Sequence, residues 1–171
     1  MQENMNGISS DLEKIKSLKI IIGALLAGAT IFALITFSQL MTATSAVESK
    51  TQEPLTIFGF PGMEATGIVV ILSILVNIVA SKVQKSITKS TLQQGASNLA
   101  AIQTGVIARM AMAEFIALFG IVALFSCIPY APLPTYAWAL YFPLLLLYEA
   151  GIQNFPSEAK IANKIKELEN P

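Results

Sequence analysis

The chain has 171 residues, of which 54% are apolar and only 13% are charged, and its formal net charge is zero. Soluble domains carry roughly 25% charged residues, so about half of the expected surface charge is missing, which predicts a surface that faces lipid. Histidine is absent and Cys127 is the single cysteine, which excludes an internal disulfide and removes the commonest metal ligand and general base. Without a long basic tract or interleaved aromatic and arginine residues, nucleic acid is not an expected partner.

Four apolar segments predict an all-α polytopic membrane protein. They cover residues 20–41, 65–81, 103–128 and 133–152. Each has close to the roughly 20 residues that a helix needs to cross a bilayer core about 30 Å thick, and a helix satisfies its own backbone polar groups there. The sequence therefore predicts a single domain over residues 1–171, with four transmembrane helices arranged as two hairpins.

The basic residues indicate how these helices are oriented. Only Lys50 falls between the first and second segments, and no charge falls between the third and fourth. The other ten lie on the opposite side: Lys14, Lys16, Lys19, Lys82, Lys85, Lys89, Arg109, Lys160, Lys164 and Lys166. Because basic residues concentrate in cytoplasmic loops, we expect both termini in the cytoplasm and the protein in the bacterial inner membrane.

Two stretches outside the apolar segments carry helical patterns. Beyond Pro156, an apolar repeat of Ile161, Ile165 and Leu168 predicts a short cytoplasmic amphipathic helix within residues 153–171.

After the second segment, Lys82, Lys85 and Lys89 share one helical face. One hypothesis is a solvated extension whose lysines lie near anionic headgroups, and the other is a dedicated lipid or partner site.

The loop after the first segment contains an apolar, turn-rich stretch, LTIFGFPGM, over residues 55–63. It is too short to cross a membrane, and exposure of Ile57, Phe58 and Phe60 would be costly. Either the loop folds back over the helices or another chain covers it.

Glu114 is predicted to lie near the middle of the membrane. Counted from residue 103 at about 1.5 Å per residue, it is some 16 Å deep. An ionised, unpaired carboxylate there would cost several kcal/mol, so Glu114 is expected to be protonated, hydrogen-bonded or turned toward a cavity. Thr30 and Ser73 are the polar side chains at a similar depth, and the three together form a candidate site for a proton or an ion.

Arg109 is not expected to pair with Glu114. Five helical residues rotate the two side chains to about 140° apart, whereas paired side chains on a helix are three or four residues apart. Arg109 is instead predicted to contact Glu149 near the inner end of the fourth segment, with Asn77 at a similar depth.

The run AEFIALFGIVA at residues 113–123 resembles the carboxylate helix of the proteolipid c subunits of rotary ATP synthases. The residues that carry the resemblance are Glu114, Phe119, Gly120, Ile121 and Val122. The resemblance implies a glutamate that binds a proton or a sodium ion in a ring of subunits. The wider run at residues 109–124 also resembles a segment of uncharacterised four-helix bacterial membrane proteins.

The chain has no nucleotide-binding loop, paired catalytic carboxylates, or Ser-His or Cys-His pair, so no enzymatic activity, cofactor or metal site is expected. Short apolar surfaces outside the helices favour an accessory or scaffolding subunit of a larger inner-membrane complex, with membrane lipids and other membrane subunits, or further copies of the chain, as partners. The alternative is proton or cation translocation through Glu114, alone or in an oligomer. A third hypothesis is a lipid or hydrophobic cofactor between the third and fourth segments, where aromatic side chains cluster.

Overall fold

Three long apolar helices dominate the structure, a computed structural model. It describes residues 2–45 and 54–169, and the side chains of these residues except 2–12, 158 and 167–169. The helices are α1 (Gln2–Ser45), α2 (Gly62–Gln93), α3 (Asn98–Phe125), α4 (Phe142–Asn154) and α5 (Glu158–Glu169), and two short strands, β1 (Thr56–Ile57) and β2 (Phe60–Pro61), precede α2. In the described part of the chain, α1, α2 and α3 are long and apolar enough to cross a membrane. The prediction of an all-helical chain with membrane-spanning helices is confirmed at this level.

The turn between α2 and α3 is built by two residues with well-understood preferences. Gly95 adopts a φ of 84°, the left-handed conformation that ends many helices. Its N–H donates to the Leu92 carbonyl at 2.9 Å, and the Ala96 N–H donates to the Thr91 carbonyl at 3.3 Å. Ser97 then caps α3 by accepting a hydrogen bond from the Ala100 N–H. The lysine-bearing stretch after residue 81 therefore belongs to α2.

The fourth apolar segment is not one continuous α-helix. A 3₁₀ helix runs from Thr135 to Tyr141, and α4 begins only at Phe142. The reason is Pro143, which lacks an N–H and is tolerated only in the first turn of an α-helix. The carbonyl of Ala139 is satisfied by the Phe142 N–H in the tighter 3₁₀ pattern. The prediction of a single transmembrane helix over residues 133–152 is not confirmed.

Helix α3 is the centre of the bundle. A larger share of its apolar stretch is buried than of α1 or α2, and it contacts α1, α2 and α4. At one end, which we call the lysine-rich end, Leu18, Ile102 and Ala150 belong to one core cluster. At the other, the hairpin end, Leu40 and Leu124 belong to a second cluster.

Two glycines let α3 approach its neighbours closely. A Cβ at Gly105 would lie 2.8 Å from the Gln84 carbonyl oxygen of α2, and one at Gly120 would lie 2.6 Å from the Leu140 carbonyl oxygen of the 3₁₀ helix. Such small residues are how helices pack in lipid.

Helix α5 joins the lysine-rich end. Ser157 accepts a hydrogen bond from the Lys160 N–H at 3.3 Å, as an N-cap residue does. Ile161 is buried and Ile165 packs against the core cluster of that end. The side chain of Leu168, the third member of the predicted apolar stripe, lies outside the described residues.

The loop before α2 forms a β-hairpin. Thr56 pairs with Pro61 and Ile57 with Phe60. Phe58 and Gly59 both have positive φ angles, 53° and 83°, as a two-residue type I′ turn requires. The Thr56 and Tyr130 hydroxyls, 2.9 Å apart, attach the hairpin to the residues that follow α3.

Substitution of Gly120 by alanine is expected to lower the free energy of unfolding by about 1 to 3 kcal/mol, because the added Cβ overpacks the contact with the 3₁₀ helix. Thermal unfolding of the purified chain in detergent measures the change. Gly23→Ala is the control, since nothing lies within 4 Å of a Cβ there and alanine is the better helix former. Equal stability of the two variants would contradict the close packing.

Candidate functional sites

Arg109 belongs to α3, its side chain contacts α2 and α4, and the residue is only 8% exposed. Its Nη2 donates to Gln153 Oε1 at 2.8 Å, and its Nη1 donates to Gln84 Oε1 at 3.5 Å. Within the described part of the chain, its buried Nε has no hydrogen-bond partner. The hydrogen-bond acceptors of this buried cation are neutral amides, so no carboxylate of the described residues accepts a hydrogen bond from it directly.

The predicted contact between Arg109 and Glu149 is indirect. Gln153 Nε2 donates to Glu149 Oε1 at 2.7 Å while Gln153 Oε1 accepts from Arg109, so the amide lies between the two charges. Glu149 itself is exposed. Asn77, predicted at a similar depth, has a buried Oδ1 that accepts no hydrogen bond from the described residues.

A cavity of about 440 Å³ opens beside Arg109 at the lysine-rich end. We call it the basic cavity, because its lining includes Lys85, Lys89, Arg109 and Lys164. Among the described residues that line it, none is acidic. Lys82, the remaining member of the predicted lysine trio, is exposed but does not line the cavity.

The walls of the basic cavity are fixed by amide hydrogen bonds between helices. Gln84 Nε2 donates to Asn154 Oδ1 at 2.9 Å, and Lys164 Nζ donates to the same oxygen at 3.4 Å. Asn154 is buried and donates to the Ala150 carbonyl. These contacts connect α2, α4 and α5 around the cavity.

Glu114 is partly exposed on the side of α3 that faces α1. A Cβ at Gly28 would lie 4.0 Å from Glu114 Oε1. No hydrogen bond or ion pair of Glu114 is formed with any described residue.

The two polar side chains grouped with Glu114 from the sequence bond elsewhere. The Thr30 hydroxyl is hydrogen-bonded to the Tyr148 hydroxyl and donates to the Leu26 carbonyl. The Ser73 hydroxyl is buried and donates to the Val69 carbonyl of its own helix at 2.6 Å. Neither hydrogen bond involves Glu114.

The small residues of α1 are used differently from those of α3. On α3, Ala101, Gly105, Ala113 and Ala117 are all buried. On α1, four small residues at membrane depth are exposed: Gly23, Ala24, Ala27 and Gly28. The exposed stripe that ends at Gly28 lies beside Glu114.

The apolar hairpin divides its side chains between the core and the surface. Ile57 is fully buried in the core cluster of the hairpin end. Phe58 and Phe60 are 53% and 60% exposed, although the rings of Phe58 and Phe119 have centroids 5.8 Å apart. The fold-back that the sequence offered as one alternative therefore holds for Ile57, and the other alternative, that another chain covers the loop, stays a prediction for Phe58 and Phe60.

Four polar residues with structural roles were missed from the sequence: Gln84, Tyr148, Gln153 and Asn154. Gln84 lies between Lys82 and Lys85 on α2, and its position within the lysine cluster could have drawn attention to it. Gln153 follows Glu149 by four residues, the spacing at which side chains meet on a helix. The partnership of Tyr148 with Thr30 has no such local signal, because the two lie 118 residues apart.

Substitution of Gln153 by alanine is expected to lower the free energy of unfolding by about 1 to 3 kcal/mol, because it removes an acceptor from a buried guanidinium. Chemical or thermal unfolding in detergent measures the loss. Gln39→Ala is the matched control, since Gln39 is exposed on α1 and has no hydrogen bond among the described residues. A loss no larger than that of the control would mean that Arg109 does not depend on this bond.

Among the described residues, no group of three or more histidine, cysteine, aspartate or glutamate side chains could hold a metal ion. Cys127 is buried at the hairpin end. Comparisons of the chain with protein-family models, with curated proteins and with solved structures give no significant match.

Proposed function

We propose that this protein is a non-catalytic subunit of a larger complex of the bacterial inner membrane, and that it binds a transmembrane helix of another subunit along α1 and α3. The observation that carries the proposal is the position of Glu114, partly exposed at membrane depth beside the exposed small residue Gly28. A carboxylate in that position is costly when it faces lipid alone. A helix that docks there can supply its hydrogen-bond donor.

The exposed stripe on α1 suits such a contact. In lipid, apolar side chains gain little by leaving one apolar environment for another, so helices associate through close packing and polar contacts. Gly23, Ala24, Ala27 and Gly28 allow a close backbone approach, and Glu114 supplies the polar contact. Large exposed side chains such as Ile31 and Leu34 follow on the same helix and face lipid or the partner's flank.

The proposed topology has four membrane crossings with both termini in the cytoplasm. The fourth segment has seven 3₁₀ residues and thirteen α-helical residues, which rise by about 14 Å and about 20 Å. Their sum of roughly 34 Å is enough for a bilayer core about 30 Å thick. A fourth crossing also leaves the ten basic residues on one side.

The proposal is tested by the mass of the assembly that the full chain forms in detergent-free polymer nanodiscs. The expected mass exceeds that of the 18.3 kDa chain. Gly28→Leu is expected to weaken association by roughly tenfold, because bulk at the stripe removes a helix contact of about 1 to 2 kcal/mol.

Gly67→Leu is the matched control for Gly28→Leu. Gly67 is likewise an exposed glycine in a membrane helix, and nothing lies within 4 Å of a Cβ there. A wild-type chain that is monomeric in nanodiscs would end the proposal, as would an equal effect of the two leucine substitutions. An assembly mass that is an integer multiple of the chain mass identifies self-association.

A second candidate function is proton or cation translocation through Glu114. It is favoured by the lack of any hydrogen bond from this carboxylate to the described residues, since an engaged carboxylate would exchange its proton less readily. The resemblance of residues 113–123 to the carboxylate helix of ATP synthase c subunits points to the same chemistry. An oligomer that brings water to Glu114 would complete the path.

For this second function, Glu114→Gln is expected to abolish proton flux into proteoliposomes, because the amide neither binds nor releases a proton near neutral pH. Dicyclohexylcarbodiimide is expected to label the wild-type chain at Glu114. Glu64→Gln, an exposed carboxylate in the first turn of α2, is the control and should retain flux. No flux in the wild type, or undiminished flux in Glu114→Gln, would exclude translocation through this residue.

A further inference from the structure

The basic cavity combines features that a surface lysine cluster lacks. It is bounded by α2, α3, α4 and α5, and its lining includes Arg109, a residue that is more than nine-tenths buried. Arg109 retains a buried Nε with no partner among the described residues, and its two hydrogen bonds go to neutral amides. A buried cation with this environment is stabilised by an anion that enters the cavity.

The lysines at the cavity add to its positive charge. Lys85 and Lys89 lie one helical turn apart on α2, and neither forms a hydrogen bond or ion pair with the described residues. The nearest carboxylate that the Arg109 network reaches is Glu149, which is exposed and engaged by Gln153 instead of lining the cavity. The cavity therefore presents cations without a carboxylate among its described lining residues.

The depth of the site selects the kind of anion. The apolar part of α2 ends near Ser81, so at about 1.5 Å per residue Lys85 and Lys89 lie roughly 6 and 12 Å beyond it. Polar headgroups extend about 5 to 8 Å beyond each face of the hydrocarbon core, and lysine side chains reach back toward it. Lys85 thus lies at the level of the lipid headgroups, and Lys89 lies beyond it with a side chain that can reach back toward the phosphates.

The size of the cavity indicates more than a bare ion. A volume of about 440 Å³ falls within the range of roughly 300 to 1,000 Å³ that small-molecule sites occupy. Ile102 supplies an apolar wall beside the cationic side chains. The volume accommodates a phosphate together with a small alcohol esterified to it, such as a glycerol phosphate group, and the cationic side chains match its charge.

We propose that the basic cavity binds the phosphate group of a glycerol phosphate ester, with Arg109 as its buried anchor and Lys85 and Lys89 at its rim. Two sources share this chemistry, an anionic phospholipid headgroup and a water-soluble glycerol phosphate. This binding does not depend on the association proposed for α1 and α3, because it uses none of the same side chains.

The test measures ligand binding to the full chain, purified in detergent, by native mass spectrometry. It has two ligand arms. The lipid arm compares phosphatidylglycerol with phosphatidylcholine of the same acyl chains, and the soluble arm uses glycerol 3-phosphate. The double substitution Lys85→Ala/Lys89→Ala is expected to weaken binding of the anionic ligand by about tenfold or more, as two lysines near an anionic headgroup imply. The matched control is Lys16→Ala/Lys82→Ala, which removes two exposed lysines that do not line the cavity.

If Lys85→Ala/Lys89→Ala weakens the binding of phosphatidylglycerol, the ligand is a phospholipid. If it weakens the binding of glycerol 3-phosphate alone, the ligand is a free glycerol phosphate. Either outcome supports the site. Equal weakening by the two double substitutions would show attraction by overall charge and overturn the proposal. Binding of phosphatidylcholine as tight as that of phosphatidylglycerol, or unchanged binding by Lys85→Ala/Lys89→Ala in both arms, would also overturn it. Because these lysines are exposed, the test does not rely on a substitution of buried Arg109.

Discussion

The close packing of α3 against its neighbours is the constraint on which the rest of the structure depends. Lipid removes most of the hydrophobic gain from bringing apolar helices together, so contact must come from shape and from polar groups. Helix α3 meets this condition with small residues, and at Gly105 and Gly120 a single methyl group would collide with a neighbouring carbonyl oxygen. The positions of the polar side chains follow from this packing.

The rotation of α3 separates its two charges. With Gly105 against α2 and Gly120 against the 3₁₀ helix, Arg109 enters the interface between α2 and α4, while Glu114 faces α1. The first charge is enclosed by amides and borders a cavity, and the second is left at the edge of the bundle. One helix thus carries the two side chains on which the separate proposals rest, Arg109 for an anion and Glu114 for a helix or a proton.

Much of the architecture is readable from local sequence. Apolar segments of membrane length predict the long helices, because a helix that crosses a bilayer needs a continuous apolar run of about 20 residues. The 140° separation of Arg109 and Glu114 also follows from helix geometry alone. By contrast, the break in the fourth segment was missed, because hydropathy counts Pro143 as one residue in an apolar run and ignores its missing N–H.

The sequence by itself determined the helical character and the presence of helices long and apolar enough to cross a membrane, because composition and periodicity are local properties. Only the tertiary structure decided that Gln153 stands between Arg109 and Glu149, that Thr30 bonds Tyr148, and that Lys85 and Lys89 line a cavity while Lys82 does not. These outcomes depend on the rotation of each helix about its axis and on its axial position relative to its neighbour. Both are set by packing between residues distant in sequence, which a single chain's local pattern does not contain.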